Sequence, residues 1–261
     1  MQVKPLRKNL YRIAMASCLL CVLVCLGSIA HAEEQSRNIL CRPDLSLSHR
    51  EALANKLRSI TGWTKLDFDS DGAMHIGNKN GAVGGSSSAR ELLTAAISGS
   101  NVLVLEDASD RADVVFARVV EARWTRDAES KPPVQLILID FADFTHVIGD
   151  PEALAAFNEG WAVLHEIAHV VRDSVDAERN EDVGECEALI NVMRRECGVA
   201  ERADYFFNYF PGQESTPFNT RFVRLAFDLK SADTKKTKRS WIMWDGAVVG
   251  GLDTSKQVAS N

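Results

Sequence analysis

Between Trp161 and Val171 the chain reads WAVLHEIAHVV. Its apolar residues recur at intervals of three and four, the period of a helix with one face in a core. The same stretch carries His165, Glu166 and His169. Burying a charge or a ring nitrogen without a partner is costly. Any fold open to this chain must therefore bring partners to this helix. Positions four apart lie on one helical face, so both imidazoles can reach one ion, while Glu166 stands about 100° round the axis beside them. This is the HExxH arrangement, with two zinc ligands and a carboxylate left free as a general base. Zinc lowers the pKa of a bound water to about 7 and polarises a carbonyl. A neighbouring carboxylate then takes the proton from that water.

The flanking sequence sets the helix in context. Asp150 and Pro151 suit an N-cap and first helical position. Leu154, Phe157, Trp161, Leu164, Ala168 and Val171 continue one apolar stripe, with Gly160 as a place where the helix bends or breaks. VQLILIDF (134–141) follows two prolines and is the strongest strand in the chain; it is expected to line the cleft. A second helix is expected over EDVGECEALINVMRRECG (181–198), stopping at Gly198.

A catalytic zinc needs a third protein ligand. Glu185 and Glu187 are two residues apart, so a helix points them about 200° apart and only one can ligate. Glu185 shares its face with Ala188, Leu189 and Val192, and Glu187 shares its face with Asn191 and Arg194. The first face reads as core and the second as solvent, which selects Glu185 over Glu187. Cys186, aligned with Ile190 and Met193, is open to three roles: thiolate ligand, disulfide partner or buried thiol.

The N-terminus carries Lys4, Arg7, Lys8 and Arg12, then an apolar run from Ile13 to Ile29 and an Ala30-His31-Ala32 site. This is the pattern of a secretory signal peptide over residues 1–32, which implies export to the periplasm or the medium. Removing its four basic residues takes the net charge from −6 to −10. An acidic chain has no general attraction for nucleic acid, and no later segment is apolar enough to span a membrane. Export makes a disulfide plausible, with Cys41 as the partner of Cys186 or Cys197.

Elsewhere, residues 48–60 read as a helix capped by Ser48 and stopped by Gly62, and TKLDFDSDGAMHIGN reads as a hairpin. GAVGGSSSA reads as a flexible connector, followed by a helix over 89–98 and strands in NVLVLED and DVVFARVVEA. RADYFFNYFPG reads as irregular, and RFVRLAFDLK with RSWIMWDGAVVGG as a C-terminal hairpin. The fold class is α+β. A small mixed or antiparallel sheet backs the HExxH helix and a second helix carrying the glutamate ligand. An N-terminal lobe over 33–130 joins a core over 131–261 in one domain.

His165-Glu166-Ile167-Ala168-His169, followed by Glu185-Cys186-Glu187-Ala188, resembles bacterial zinc metallopeptidases of the gluzincin type over about residues 134–198. The resemblance implies Zn2+ held by His165, His169 and Glu185, with Glu166 as base and a peptide or protein as substrate. Two other readings stay open: a zinc hydrolase of cell-wall peptide cross-links, and a metal-binding or interaction protein without turnover. Many such peptidases carry an aspartate four residues after the glutamate ligand to orient a histidine, where this chain has Leu189. Another partner must orient the imidazoles, and Asp173, Asp176 and Asp182 are near in sequence. Tyr205 and Tyr209 are candidates for oxyanion stabilisation or for packing. His146 and the basic KKTKR turn (235–239) read as surface, and Trp241 and Trp244 as packing.

Overall fold

The computed structural model describes residues 37–109, 111–122, 133–179, 182–209, 222–230 and 236–250. The leader expected over 1–32 lies outside them. In order along the chain come β1 (Ile39–Cys41), α1 (Leu47–Thr61), β2 (Leu66–Phe68), β3 (Met74–Ile76), α2 (Ser87–Ser98), β4 (Val102–Asp107), β5 (Ala117–Glu121) and β6 (Val134–Ile139). Then follow α3 (Phe141–Thr145), β7 (Ile148–Gly149), α4 (Pro151–Ala155), α5 (Glu159–Arg172), α6 (Gly184–Glu196), β8 (Glu201–Arg202), β9 (Asn208–Tyr209), β10 (Phe222–Lys230), β11 (Thr237–Asp245) and α7 (Gly246–Val249). The class is α+β.

The main sheet has the order β1-β4-β6-β5. β1, β4 and β6 are parallel, and β5 joins β6 antiparallel as an edge strand. The central strand β6 is the Ile/Leu run, and its Ile137, Leu138 and Ile139 are buried. Helices α1, α2 and α5 share a core with this sheet, built on Leu53, Leu57, Leu92, Leu103, Ile137 and Leu164. A second, antiparallel sheet runs β7-β11-β10-β8, with β9 also on β10. Its hairpin pairs Phe222 with Asp245 through to Lys230 with Thr237. It packs Val223, Leu225, Phe227, Ile242 and Trp244 against Ala153, Ala156 and Phe116.

Several local expectations need correction. The helix after Asp150 is two helices, but the break falls before Gly160. Asn158, in extended conformation at φ −156°, ends the first piece and caps the second, accepting from the amides of Gly160 and Trp161. Gly160 instead permits close packing, since a Cβ there would lie 2.7 Å from Lys56 Cβ on α1. Ser46, not Ser48, caps α1. The Gly/Ser stretch is not a free connector. Ser86 caps α2, and the Glu196 carboxylate accepts from the hydroxyls of Ser86, Ser87 and Ser88. Residues 246–249 turn into a short helix rather than extending the hairpin. Cys41, Cys186 and Cys197 are all free thiols, so the expected disulfide is not formed. Burial pushes the Cys41 thiol up to about 12.

The joint between α5 and α6 depends on one glycine. Gly184 has φ +76°, and a Cβ there would lie 2.4 Å from the Ala177 amide nitrogen. The Cys186 amide donates to the Val175 carbonyl at 3.1 Å across the same joint. Residues 175–177 are thereby laid against the first turn of α6. Gly184→Ala combines left-handed backbone strain with a backbone collision. It should lower unfolding free energy by about 1–3 kcal/mol, read by denaturant melts. A variant as stable as the parent would show that the joint rearranges freely.

Candidate metal centre

Helix α5 is amphipathic in an unusual sense, because its buried face includes polar groups. Trp161, Val163, Leu164, Ile167 and Ala168 are buried, and so are His165 and Glu166 at 9% and 8% exposure. Each imidazole is held through Nδ1. His165 Nδ1 lies 3.2 Å from Glu187 Oε2, and His169 Nδ1 lies 2.7 Å from the Ser174 carbonyl oxygen. A carboxylate and a carbonyl only accept, so both Nδ1 atoms carry hydrogen and donate. Both Nε2 atoms then face the centre. They converge on one oxygen, Asp176 Oδ1, at 3.1 Å from His165 and 3.3 Å from His169. Ligand atoms of His165, His169, Asp176 and Cys186 all lie within 4.8 Å of one another.

Neutral imidazoles protonated at Nδ1 would turn two lone pairs toward a carboxylate. That arrangement needs either extra protons or a cation. With protons, Asp176 hydrogen-bonds to His169 and drives its imidazole up to about 10, helped by Cys186 and the Ser174 carbonyl. Burial would lower His165, but hydrogen bonds with Asp176, Cys186 and Glu187 outweigh it and raise it well above the usual value. Burial would likewise raise Asp176, yet hydrogen bonds from His165, His169 and Tyr205 hold it well below the carboxylate range. A metal fits the same geometry. Zinc bonds of about 2.0–2.1 Å to nitrogen and oxygen place neighbouring tetrahedral ligand atoms about 3.3 Å apart. The two measured nitrogen–oxygen separations are of that size.

Glu187, not Glu185, faces this centre. Glu187 is 1% exposed, whereas Glu185 is exposed and outside the group of converging donors. The face comparison on α6 inverts in the structure. Asn191 and Arg194 are buried at 6% and 2%, while Val192 is 36% exposed. Arg194 pairs with Glu187 through Nη1, and Arg202 Nη1 reaches Glu187 Oε2 at 3.1 Å. Burial opposes ionisation of Glu187, but the two guanidiniums and His165 overcome it and hold its carboxyl well below the usual range. The orienting partner missing at Leu189 is thus Glu187 for His165 and the Ser174 carbonyl for His169. Asp173 and Asp182 are exposed. The legible signal was Glu187 with Asn191 and Arg194 at four and seven residues, a buried polar stripe rather than a solvent face.

Glu166 stands beside the centre. Its Oε2 accepts from the Val119 amide of β5 at 2.9 Å. Burial raises its pKa, with the two imidazoles opposing. A cavity of about 290 Å³ opens here, lined by His165 and Glu166 and walled by Phe116, Phe157, Trp161, Phe207 and Trp244. Its strand-side wall is the entry to β5, Val115 to Ala117, and not the expected β6. Tyr205 also lines it, with its ring 6.2 Å from that of His165 and a hydrogen bond to Asp176. The Tyr209 side chain lies outside the described residues, and His146 is exposed. Of the basic run expected as a turn, Lys238 and Arg239 lie in β11, where they pair with Glu152 and Asp228. Trp241 lies beneath the Arg224 guanidinium, and Trp244 belongs to the second core as well as the cavity wall.

No family model, no curated protein and no solved structure matches this chain. The metal reading therefore stands on its geometry. The metal-free fold should hold an imidazolium at His169, titrating at about 10 by NMR. Its folded value exceeds the unfolded one of about 6.5. The stabilisation is thus complete below about pH 6.5 and is lost as pH rises through the folded value. Adding Zn2+ at pH 7 should displace at least two protons per metal, one from each imidazolium and one more from a thiol that ligates, read by calorimetry in buffers of different ionisation enthalpy. Binding with no proton release would contradict the protonated cluster.

Proposed function

We propose that this chain is an exported zinc-dependent hydrolase of peptide bonds. The observation that carries the reading is the convergence of two Nε2 atoms on one point, with the Glu166 carboxylate beside them on the cavity side. His165 and His169 would hold the metal, with Asp176 and Cys186 as the further donors in reach. Bound zinc supplies an activated water and a polarised substrate carbonyl.

The protein's own groups would do the rest. Val119 holds Glu166 through Oε2, which leaves Oε1 to take the proton. Burial moves the pKa of Glu166 up toward the range where a base can both accept and return a proton. β5 is an antiparallel edge strand, and an extended peptide can add to such an edge. The aromatic cavity suits an apolar side chain of that peptide. Tyr205 is tied to Asp176 and serves that carboxylate rather than an oxyanion. The leader pattern of residues 1–32 supports export, where proteins and cell-wall peptides are both at hand.

One observation favours a second reading, a zinc-binding protein without turnover. Four donors lie within reach of one ion, and a four-ligand zinc site leaves no position for water. Glu166→Gln tests both. The variant should retain wild-type zinc and lose cleavage of a mixed peptide library or of peptidoglycan fragments by about 10²–10⁴-fold. Undiminished cleavage in Glu166→Gln overturns the mechanism. A zinc-loaded parent that cleaves neither substrate class favours the non-catalytic reading.

A further inference from the structure

The four donors differ in how they are held, and that difference assigns them different parts. Cys186 sits on α6 and is completely buried. Its thiol donates to the His165 carbonyl at 3.2 Å, so it lies against the backbone of α5. Its Sγ also lies within 4.8 Å of a ring nitrogen of each histidine. Its own amide is fixed to Val175, and Gly184 fits α6 against Ala177 with no space for a Cβ. Nothing at this position can move far without opening the core.

Asp176 differs in exposure. It belongs to the segment joining α5 and α6, in neither helix, and its side chain is 40% exposed. Its Oδ1 lies 3.1 and 3.3 Å from the two Nε2 atoms, and the Tyr205 ring, which lines the cavity, lies 6.2 Å from that of His165. Of the two donors beyond the histidines, Asp176 is thus the one on the open side of the centre, since Cys186 is completely buried. Water and substrate reach the centre from its open side. Catalytic zinc keeps three protein ligands and one exchangeable position. Thiolate is the softer and stronger ligand for zinc, and the carboxylate of Asp176 is the donor that solvent reaches.

Building on the zinc reading above, we infer that Cys186 is the third permanent ligand. Asp176 is an internal carboxylate standing where water and substrate bind, so the centre rests closed and opens when Asp176 leaves. The thiol gives up its proton to solvent on binding the metal, and no redox step is involved. An oxygen ligand of the same chemistry, a peptide carbonyl or a carboxylate, is what replaces Asp176. Tyr205 and the two flanking helices stay in place when it does.

Cobalt(II) in place of zinc reads the assignment without reference to activity. The mature parent should show a thiolate-to-cobalt charge-transfer band in the near ultraviolet. Cys186→Ser should lose the band and weaken zinc by more than about 100-fold, beyond the loss typical of an outer-shell partner. Asp176→Ala should keep the band and one metal per chain. Azide should then shift its visible cobalt spectrum at concentrations that leave the parent unchanged. Circular dichroism checks that each variant is folded; if Cys186→Ser fails to fold, the parent band and the Asp176→Ala azide titration decide. A parent that binds cobalt without a thiolate band overturns this inference and leaves the zinc reading intact. So does an Asp176→Ala variant that loses its metal. A parent that binds no cobalt or zinc overturns both.

Discussion

The carboxylate of Glu187 is the junction on which the rest depends. It is buried between two guanidiniums and an imidazole, contributed by α6, β8 and α5. Desolvating such a charge costs several kcal/mol, and only well-placed opposite charges with full hydrogen bonding offset it. Here that need draws three elements together. Arg194 carries the link further, donating through Nε to the Ala156 carbonyl at the α4–α5 break and lying over the Trp161 and Phe227 rings. Asn191 binds Arg202 on both sides of its peptide, through the Arg202 amide and carbonyl. The core of the main sheet and the core of the hairpin sheet meet at this cluster.

The same carboxylate has a chemical consequence. By accepting from His165 Nδ1 it selects the tautomer whose Nε2 lone pair points at the centre. The Ser174 carbonyl does this for His169. Metal-ligating histidines are regularly oriented this way, and the outer partner raises ligand basicity. Structural stability and the proposed metal site are therefore coupled through one residue. Removing Glu187 would leave Arg194 buried and uncompensated, and would also release the His165 ring.

Around this base the proposed centre combines parts of unequal exposure. The histidines and Cys186 sit on packed helices, and Glu166 is tied to an edge strand of the main sheet. Asp176 alone comes from a connecting segment. An enzyme that must hold a metal firmly yet admit a substrate needs that division. Helices supply precise placement, and segments outside regular elements supply exchange.

Much of this was legible in the sequence. The intervals of three and four between Trp161 and Val171 define α5, and the four-residue spacing of His165 and His169 places both rings on one face whatever the fold. The Ile/Leu run of β6, the Asp-Gly turn between β2 and β3, and the long β10–β11 hairpin follow from local pattern and turn chemistry. Those features depend on residues near in sequence, so periodicity reads them. The facing of α6 does not. Its polar stripe of Glu187, Asn191 and Arg194 looks like a solvent face until Arg202 and His165 arrive from distant segments to pair with it. The sequence named Cys186 and Asp176 but left their parts open for the same reason. Asp176 lies in a segment with no period, and the reach of Cys186 depends on how closely α6 packs on α5. Sequence determined which helix carries the chemistry. Which side chains meet it was decided by tertiary packing, because a buried charge takes its orientation from partners that no local pattern records.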